Sequence, residues 1–195
     1  KTDALIDALG RERKRTVPAL DAGDRALAAE ATYQSARSRD ILGDTPGAIQ
    51  WQLKALARFR DLGRVDREAR VLNRLGDLSR KGAEIVDAER YFEEALQKAR
   101  DAQDVYAIAD TLNNSGLFKL FVGRSEEAIE QFAAALPLAR EIESASIETA
   151  LLANSAEAYS TLGDPDQAIS HFKRALGVVA RMNSPRRTGR TLYQL

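Results

Sequence analysis

The sequence predicts an all-α protein, a solenoid of stacked antiparallel helix pairs, and three observations support this fold class. Small residues recur every 40 positions, apolar residues recur between them at helical spacing, and turn signals separate the helices. The segment 116–136 reads GLFKLFVGRSEEAIEQFAAAL, with small residues at Gly116, Gly123, Ala128 and Ala135. Larger apolar side chains would bury more surface at such positions, so the fixed small residues indicate a packing requirement.

Columns of equivalent residues hold the 40-residue period along most of the chain. The small-residue columns are Ala36, Gly76, Gly116 and Ala156; Gly43, Ala83, Gly123 and Gly163; Ala48, Ala88, Ala128 and Ala168; Ala55, Ala95, Ala135 and Ala175. The large apolar columns are Leu56, Leu96, Leu136 and Leu176; Leu72, Leu112, Leu152 and Leu192; and Phe92, Phe132 and Phe172, the last interrupted by Gln52. Four full repeats and the start of a fifth therefore share one register without an insertion.

Each unit is predicted to form two helices. Apolar and small residues recur three and four apart on both sides of a turn such as VGRSEE, whose glycine ends the first helix. In LGDPDQ, Asp164 is the expected N-cap and Pro165 the first helical residue. In RKGAEIVDAE the glycine stands one place early, at Gly82, which predicts an altered turn. Pro137 falls inside a second helix and is expected to bend it slightly.

The small residues have a physical role at helix crossings. Where helices cross, a Cβ or a bare Cα lets the backbones approach, and leucine and phenylalanine fill the space beside the crossing. One helix pair cannot bury its apolar face alone, so successive pairs are expected to stack.

These columns resemble the tetratricopeptide repeat. Its small residue, turn glycine, and following Ala, Phe and Ala appear in order in NNSGLFKLFVGRSEEAIEQFAAAL. The usual unit has 34 residues, and the longer unit here is similar to those of kinesin light chains, of Gln/Asn-lined bacterial peptide sensors and of bacterial proteins that join such repeats to a CHAT caspase-like domain. The resemblance covers roughly residues 24–195 and implies a right-handed solenoid that acts as a protein-binding scaffold.

The register also predicts the domain organisation. Four repeats lie within 24–190, at approximately 24–63, 64–103, 104–143 and 144–183, and residues 184–195 are the first helix of a truncated fifth repeat. Residues 1–23 fit the register less well, because TVPAL interrupts it, and are expected to be an N-terminal helical cap or a divergent repeat. Since the chain begins at Lys1 and its last residues lie within a repeat, we expect a fragment of a larger protein.

Composition argues against several function classes. Lysine plus arginine and aspartate plus glutamate both number 29, a balance that speaks against a nucleic-acid partner. The chain has no cysteine, which excludes disulfides and thiol chemistry. No apolar run approaches the roughly 18 residues that a bilayer span requires. We therefore expect no nucleic-acid or membrane partner, and a cytoplasmic location is favoured.

No residue pattern supports catalysis. His171 is the single histidine, and acid pairs such as Glu93–Glu94 are adjacent on a helix, so their side chains point apart. No phosphate-binding glycine motif is present, and the basic runs RERKR at 11–15 and SPRR at 184–187 lack interleaved aromatic residues. We predict no enzyme activity, no catalytic residue, no cofactor and no metal site.

The candidate site is a groove lined by the first helices of the repeats, which in tetratricopeptide folds form the concave face. The predicted peptide-binding residues are Asn73, Arg74, Asp77, Arg80, Asn113, Asn114, Leu117, Phe121, Asn154 and Glu157. Asparagine is a poor helix former, so a row of asparagines across successive helices suggests a function. The side-chain amide can form hydrogen bonds with a peptide backbone. The resemblance places Asn114 and Asn154 where such backbone contacts are made, and Leu117, Leu120 and Phe121 would form an apolar pocket.

The alternative for Asn114 and Asn154 is that they only join neighbouring repeats. An Asn114→Ala, Asn154→Ala double variant separates the two hypotheses: weaker binding with unchanged melting favours the groove, and loss of the fold favours the structural role.

We predict a non-catalytic interaction module that binds an extended peptide or a partner helix, within a larger regulatory protein. The alternative is an architectural spacer or a self-association segment of an effector, for example a CHAT-type protease or a transcriptional regulator.

Overall fold

The computed structural model describes residues 22–182, and this part of the chain is entirely helical with no strand. Its eight helices are α1 (Ala22–Ile41), α2 (Thr45–Asp61), α3 (Val65–Lys81), α4 (Ile85–Asp101), α5 (Val105–Phe121), α6 (Ser125–Glu141), α7 (Ala145–Thr161) and α8 (Pro165–Met182). They pack as successive pairs, and each pair stacks on the next. The predicted all-α solenoid is therefore confirmed.

The helices and their joints are uniform. Helices α2 to α7 each have 17 residues, and three residues separate consecutive helices. The second linker residue has a positive φ at every joint, in Gly43, Gly63, Ala83, Gln103, Gly123, Glu143 and Gly163. The backbone thus repeats every 20 residues, although the sequence repeats every 40.

The turn at Gly82 is not altered, which corrects the sequence-based prediction. Gly82 has an ordinary φ of −80°, and Ala83 takes the left-handed position with a φ of 58°. Ala83 N donates to Arg80 O at 3.1 Å, as Gly123 N donates to Leu120 O at 3.0 Å in the next repeat. The surrounding helices determine this turn, so it forms even though alanine is disfavoured in the left-handed region.

The two helices of a pair meet where a glycine faces a phenylalanine. A Cβ on Gly76 would fall 2.7–2.9 Å from ring carbons of Phe92, and both Phe92 and the equivalent Phe132 are buried. Gly116 faces Phe132 in the same way. Such a clash explains the glycine, because a Cβ at that distance displaces the ring.

Alanine replaces this glycine where the ring is missing or less enclosed. Ala36 belongs to the repeat with Gln52 in the phenylalanine column, and Ala156 belongs to the repeat whose Phe172 is 47% exposed. Gln52 is itself buried, and its Oε1 finds no hydrogen-bond partner within the described residues.

Contacts between repeats involve both helix types. First helices touch each other directly, α3 against α5 and α5 against α7. From a second helix, Arg60 crosses to the next repeat and lies 3.7 Å from the buried carboxylate of Glu68, which Lys98 of its own repeat also contacts at 3.2 Å. Pro137 lies within α6, which continues through it to Glu141. The predicted cap up to residue 21, the fifth-repeat segment at 184–195 and both basic runs lie outside the described residues.

Candidate functional site

The first helices α3, α5 and α7 together form one surface, called here the first-helix face. Every predicted site residue lies on one of these three helices. Most are half-buried, Phe121 and Glu157 are exposed, and Asn73 is buried. Because Asn73 is buried, its side chain is not accessible to a ligand.

The asparagines form a ladder of hydrogen bonds across the repeats. Asn154 Nδ2 donates to Asn113 Oδ1 at 2.9 Å, and Asn114 Nδ2 donates to Asn73 Oδ1 at 3.2 Å. Asn113 Nδ2 lies 3.4 Å from Asn114 Oδ1, which connects the two bonds through α5. The asparagines therefore join neighbouring repeats, as the alternative hypothesis expected.

The ladder does not use all of the hydrogen-bonding capacity of these amides. An asparagine side chain has two N–H donors and a carbonyl oxygen with two lone pairs. The bonds in the ladder use one donor each from Asn114 and Asn154, and both residues are only half-buried. Structural and ligand-binding roles are thus compatible for this pair.

Asp110 ends the ladder with a carboxylate that sequence analysis did not single out. Asn73 Nδ2 donates to Asp110 Oδ2 at 2.8 Å. Burial raises the pKa of Asp110, and the charge of Arg74 and the bond from Asn73 offset only part of this effect. Asp110 lies one turn before Asn114 on the same helix, and that spacing was the available signal.

Two predicted residues, Asp77 and Arg80, belong to an ion network at the end of α3. Arg80 lies 2.6 Å and Lys81 3.1 Å from Asp77, and Lys81 also lies 3.3 Å from Asp40 of α1. Burial acts to raise the pKa of Asp77, but the hydrogen bonds from Arg80 and Lys81 outweigh it and leave that pKa lowered. Two cations and two carboxylates therefore balance each other here.

Next to this network the first-helix face holds a cavity of about 290 Å³. Its lining residues come from three successive first helices and are Arg80, Leu117, Leu120, Phe121, Glu157 and Thr161. Phe121 is 52% exposed. The structure thus brings the three sequence-predicted apolar residues together beside two further predicted site residues, Arg80 and Glu157.

Nδ1 of His171 finds no hydrogen-bond partner among the described residues. Its ring centroid lies 5.1 Å from that of Tyr159, and burial, with a smaller effect of Arg174, lowers its pKa. No group of histidine, aspartate and glutamate within the described chain could hold a metal ion. No helix in this part is long and apolar enough to cross a membrane.

The geometry of paired 17-residue helices can be compared with known proteins. Residues 107–181 match the tetratricopeptide repeat family model. The fold is a tetratricopeptide repeat solenoid. The matched residues cover α5 to α8 almost completely, including the cavity residues of α5 and α7. A comparison with curated protein sequences finds no match.

Solved structures share this fold at low sequence identity. BtubC (BKLC) from P. vanneervenii superposes with a TM-score of 0.76 at 21% identity, covering 91% of this chain and 73% of that one. A Rap protein complexed with competence and sporulation factor has a TM-score of 0.70 at 18% identity, covering 89% and 47%. A kinesin light chain-like protein of Podosopora anserina with nearly identical TPR-like repeats has a TM-score of 0.63 at 13% identity, covering 92% and 86%.

These matches confirm the predicted resemblance to tetratricopeptide repeats, including those of kinesin light chains. At such identities the likeness concerns the fold. The chain spans less than half of the Rap protein, and the resemblance to CHAT-linked repeats stays a prediction.

Proposed function

We propose that this tetratricopeptide solenoid is a non-catalytic interaction module whose first-helix face binds an extended peptide or a partner helix. The observation that carries the proposal is the cavity between α3, α5 and α7, next to half-buried asparagine amides with spare donors. Apolar walls beside a few polar groups are the usual composition of a binding site. A peptide can place one side chain in the cavity while Asn114 and Asn154 bond its backbone.

One related structure supports an interaction role. One neighbour was solved as a Rap protein with competence and sporulation factor bound, and tetratricopeptide folds are generally non-catalytic interaction scaffolds. The described residues contain no cluster that could bind a metal, and Nδ1 of the one histidine finds no hydrogen-bond partner among them. As part of a larger protein, the module would regulate an attached effector by shifting it between two states when a peptide binds.

The proposal is tested by selecting binders from a displayed library of random dodecapeptides on the full chain. Dissociation constants of the selected peptides are then measured by fluorescence anisotropy for the wild-type chain and for Phe121→Ala. Loss of the exposed ring should weaken binding by up to about tenfold, because an aromatic contact contributes about 0.5–1.5 kcal/mol beyond its buried area and 1.4 kcal/mol corresponds to a factor of ten. Helicity should not change, since Phe121 is 52% exposed without a ligand.

Val86→Ala is the matched control, because Val86 is an apolar residue of α4 that is 81% exposed and lies away from the first-helix face. If Phe121→Ala and Val86→Ala bind the peptides with equal affinity, the peptides do not bind in the groove. The alternative function, an architectural spacer, predicts that no peptide is selected. Sedimentation across concentrations then tests whether the chain associates with itself.

A further inference from the structure

The cavity on the first-helix face contains one acidic side chain without a counterion. Glu157 is exposed and forms no salt bridge with any described residue. Its backbone carbonyl accepts a bond from Thr161 Oγ1 at 3.0 Å, whereas its carboxylate forms no hydrogen bond with a described residue. An exposed carboxylate at the rim of an apolar cavity attracts a cation that can bury apolar atoms at the same time.

The one basic residue of the cavity does not cancel this charge. Arg80 lies 2.6 Å from Asp77, and its side chain is only 24% exposed. Lys81 and Asp40 complete the same balanced network. The net charge of the cavity and its immediate network is therefore the single negative charge of Glu157.

The apolar walls determine the shape of a suitable cation. Leu117, Leu120 and Phe121 all come from α5 and face Glu157 on α7. A long aliphatic stem can pack on the leucines, and its charged end can lie near the carboxylate and over the Phe121 ring. Lysine and arginine combine such a stem with a terminal cation, whereas glutamate would be repelled and leucine would leave the carboxylate unpaired.

We propose that this cavity selects a lysine or arginine side chain of the bound peptide, with Glu157 as the specificity-determining residue. The inference rests on the proposed function, since it concerns the same face. The inference adds the class of side chain that the ligand must carry and the residue that recognises this side chain.

The test repeats the dodecapeptide selection on the wild-type chain, on Glu157→Gln and on Glu126→Gln. Glu126 is an exposed glutamate of α6 outside this cavity, so its variant is the matched control. Wild type and Glu126→Gln should both enrich lysine or arginine at one aligned position, and Glu157→Gln should lose this enrichment. Glutamine keeps the shape of the side chain and removes its charge.

A selected peptide then has its lysine or arginine replaced by norleucine, which keeps an aliphatic stem without charge. Wild type should lose about tenfold in affinity, the value expected for one charge-assisted contact. Glu157→Gln should bind both peptides within about twofold of each other. An equal loss in both proteins, or selected peptides with no basic position, would overturn the inference and leave the binding function intact. Failure to select any peptide would overturn both.

Discussion

The glycine–phenylalanine contact inside two of the helix pairs leads to a quantitative prediction for Gly116→Ala. The new Cβ would fall 2.8 Å from Cδ1 and Cζ of Phe132 and closer still to Cε1. Phe132 is 1% exposed and cannot move into solvent. Forcing a buried ring aside costs about 1–3 kcal/mol, whereas alanine favours a helix over glycine by about 1 kcal/mol. The variant should therefore be less stable than wild type by up to about 2 kcal/mol.

Gly177→Ala is the matched control, because Gly177 is also inside a helix but its new Cβ would meet no atom within 4 Å. It should gain helix propensity without a clash and be up to about 1 kcal/mol more stable. Thermal unfolding followed by circular dichroism measures both, with about 2–4 °C expected per kcal/mol for a chain of this size.

Equal stabilisation by the two alanines would refute the steric explanation. The cause can be checked further with Phe132→Leu, which shortens the side chain that faces Gly116. Phe132→Leu should lower the free energy of unfolding less in Gly116→Ala than in wild type. Residues in contact show coupling energies of about 0.5–3 kcal/mol.

Three further predictions concern the joints and the ladder. Gln103→Gly should stabilise the chain by up to about 1 kcal/mol, because Gln103 has a φ of 52°, and Gly123→Ala at an equivalent joint should have the opposite effect in urea unfolding. Asp110→Asn should raise the urea midpoint at pH 7. Burial raises the pKa of Asp110 in the folded state, so folding favours the protonated form of this side chain. The stability of the wild-type chain therefore falls as pH rises through that pKa. The advantage of the variant should vanish below the unfolded pKa of about 3.9, and an advantage that persists there would contradict the argument. Asn114→Ala should lower stability by about 1–3 kcal/mol, because buried Asn73 loses the donor at 3.2 Å. An unchanged melting temperature would show that the ladder contributes nothing to stability.

The sequence predicted the helix pairs because one register imposes the same packing at every repeat. The same register assigned Leu117, Phe121 and Glu157 to one groove, since residues 40 apart occupy equivalent positions on neighbouring first helices. The structure places them around one cavity. Their role in binding stays a proposal.

The burial of Asn73 could not be predicted from its column alone. Its environment depends on Asp110 and Asn114 of the next repeat, which reach it from α5. The left-handed backbone at Gln103 and Glu143 was also missed, because neither residue type signals it. The four joint glycines, at 43, 63, 123 and 163, are multiples of 20 apart, and this spacing could have revealed the joints.

The uniform joints have a consequence for how such a chain can change its length during evolution. Because every joint between the described helices has three residues and the same left-handed centre, duplication or loss of one 40-residue unit brings together surfaces that already fit each other. The first-helix face would then lengthen or shorten by one helix without any new connection. Insertion of a single residue in one linker would disrupt the fold more than duplication of a whole unit, since it would reorient every later helix. Genetic variation in this solenoid should therefore accumulate as whole units and as side-chain exchanges on the exposed first-helix face.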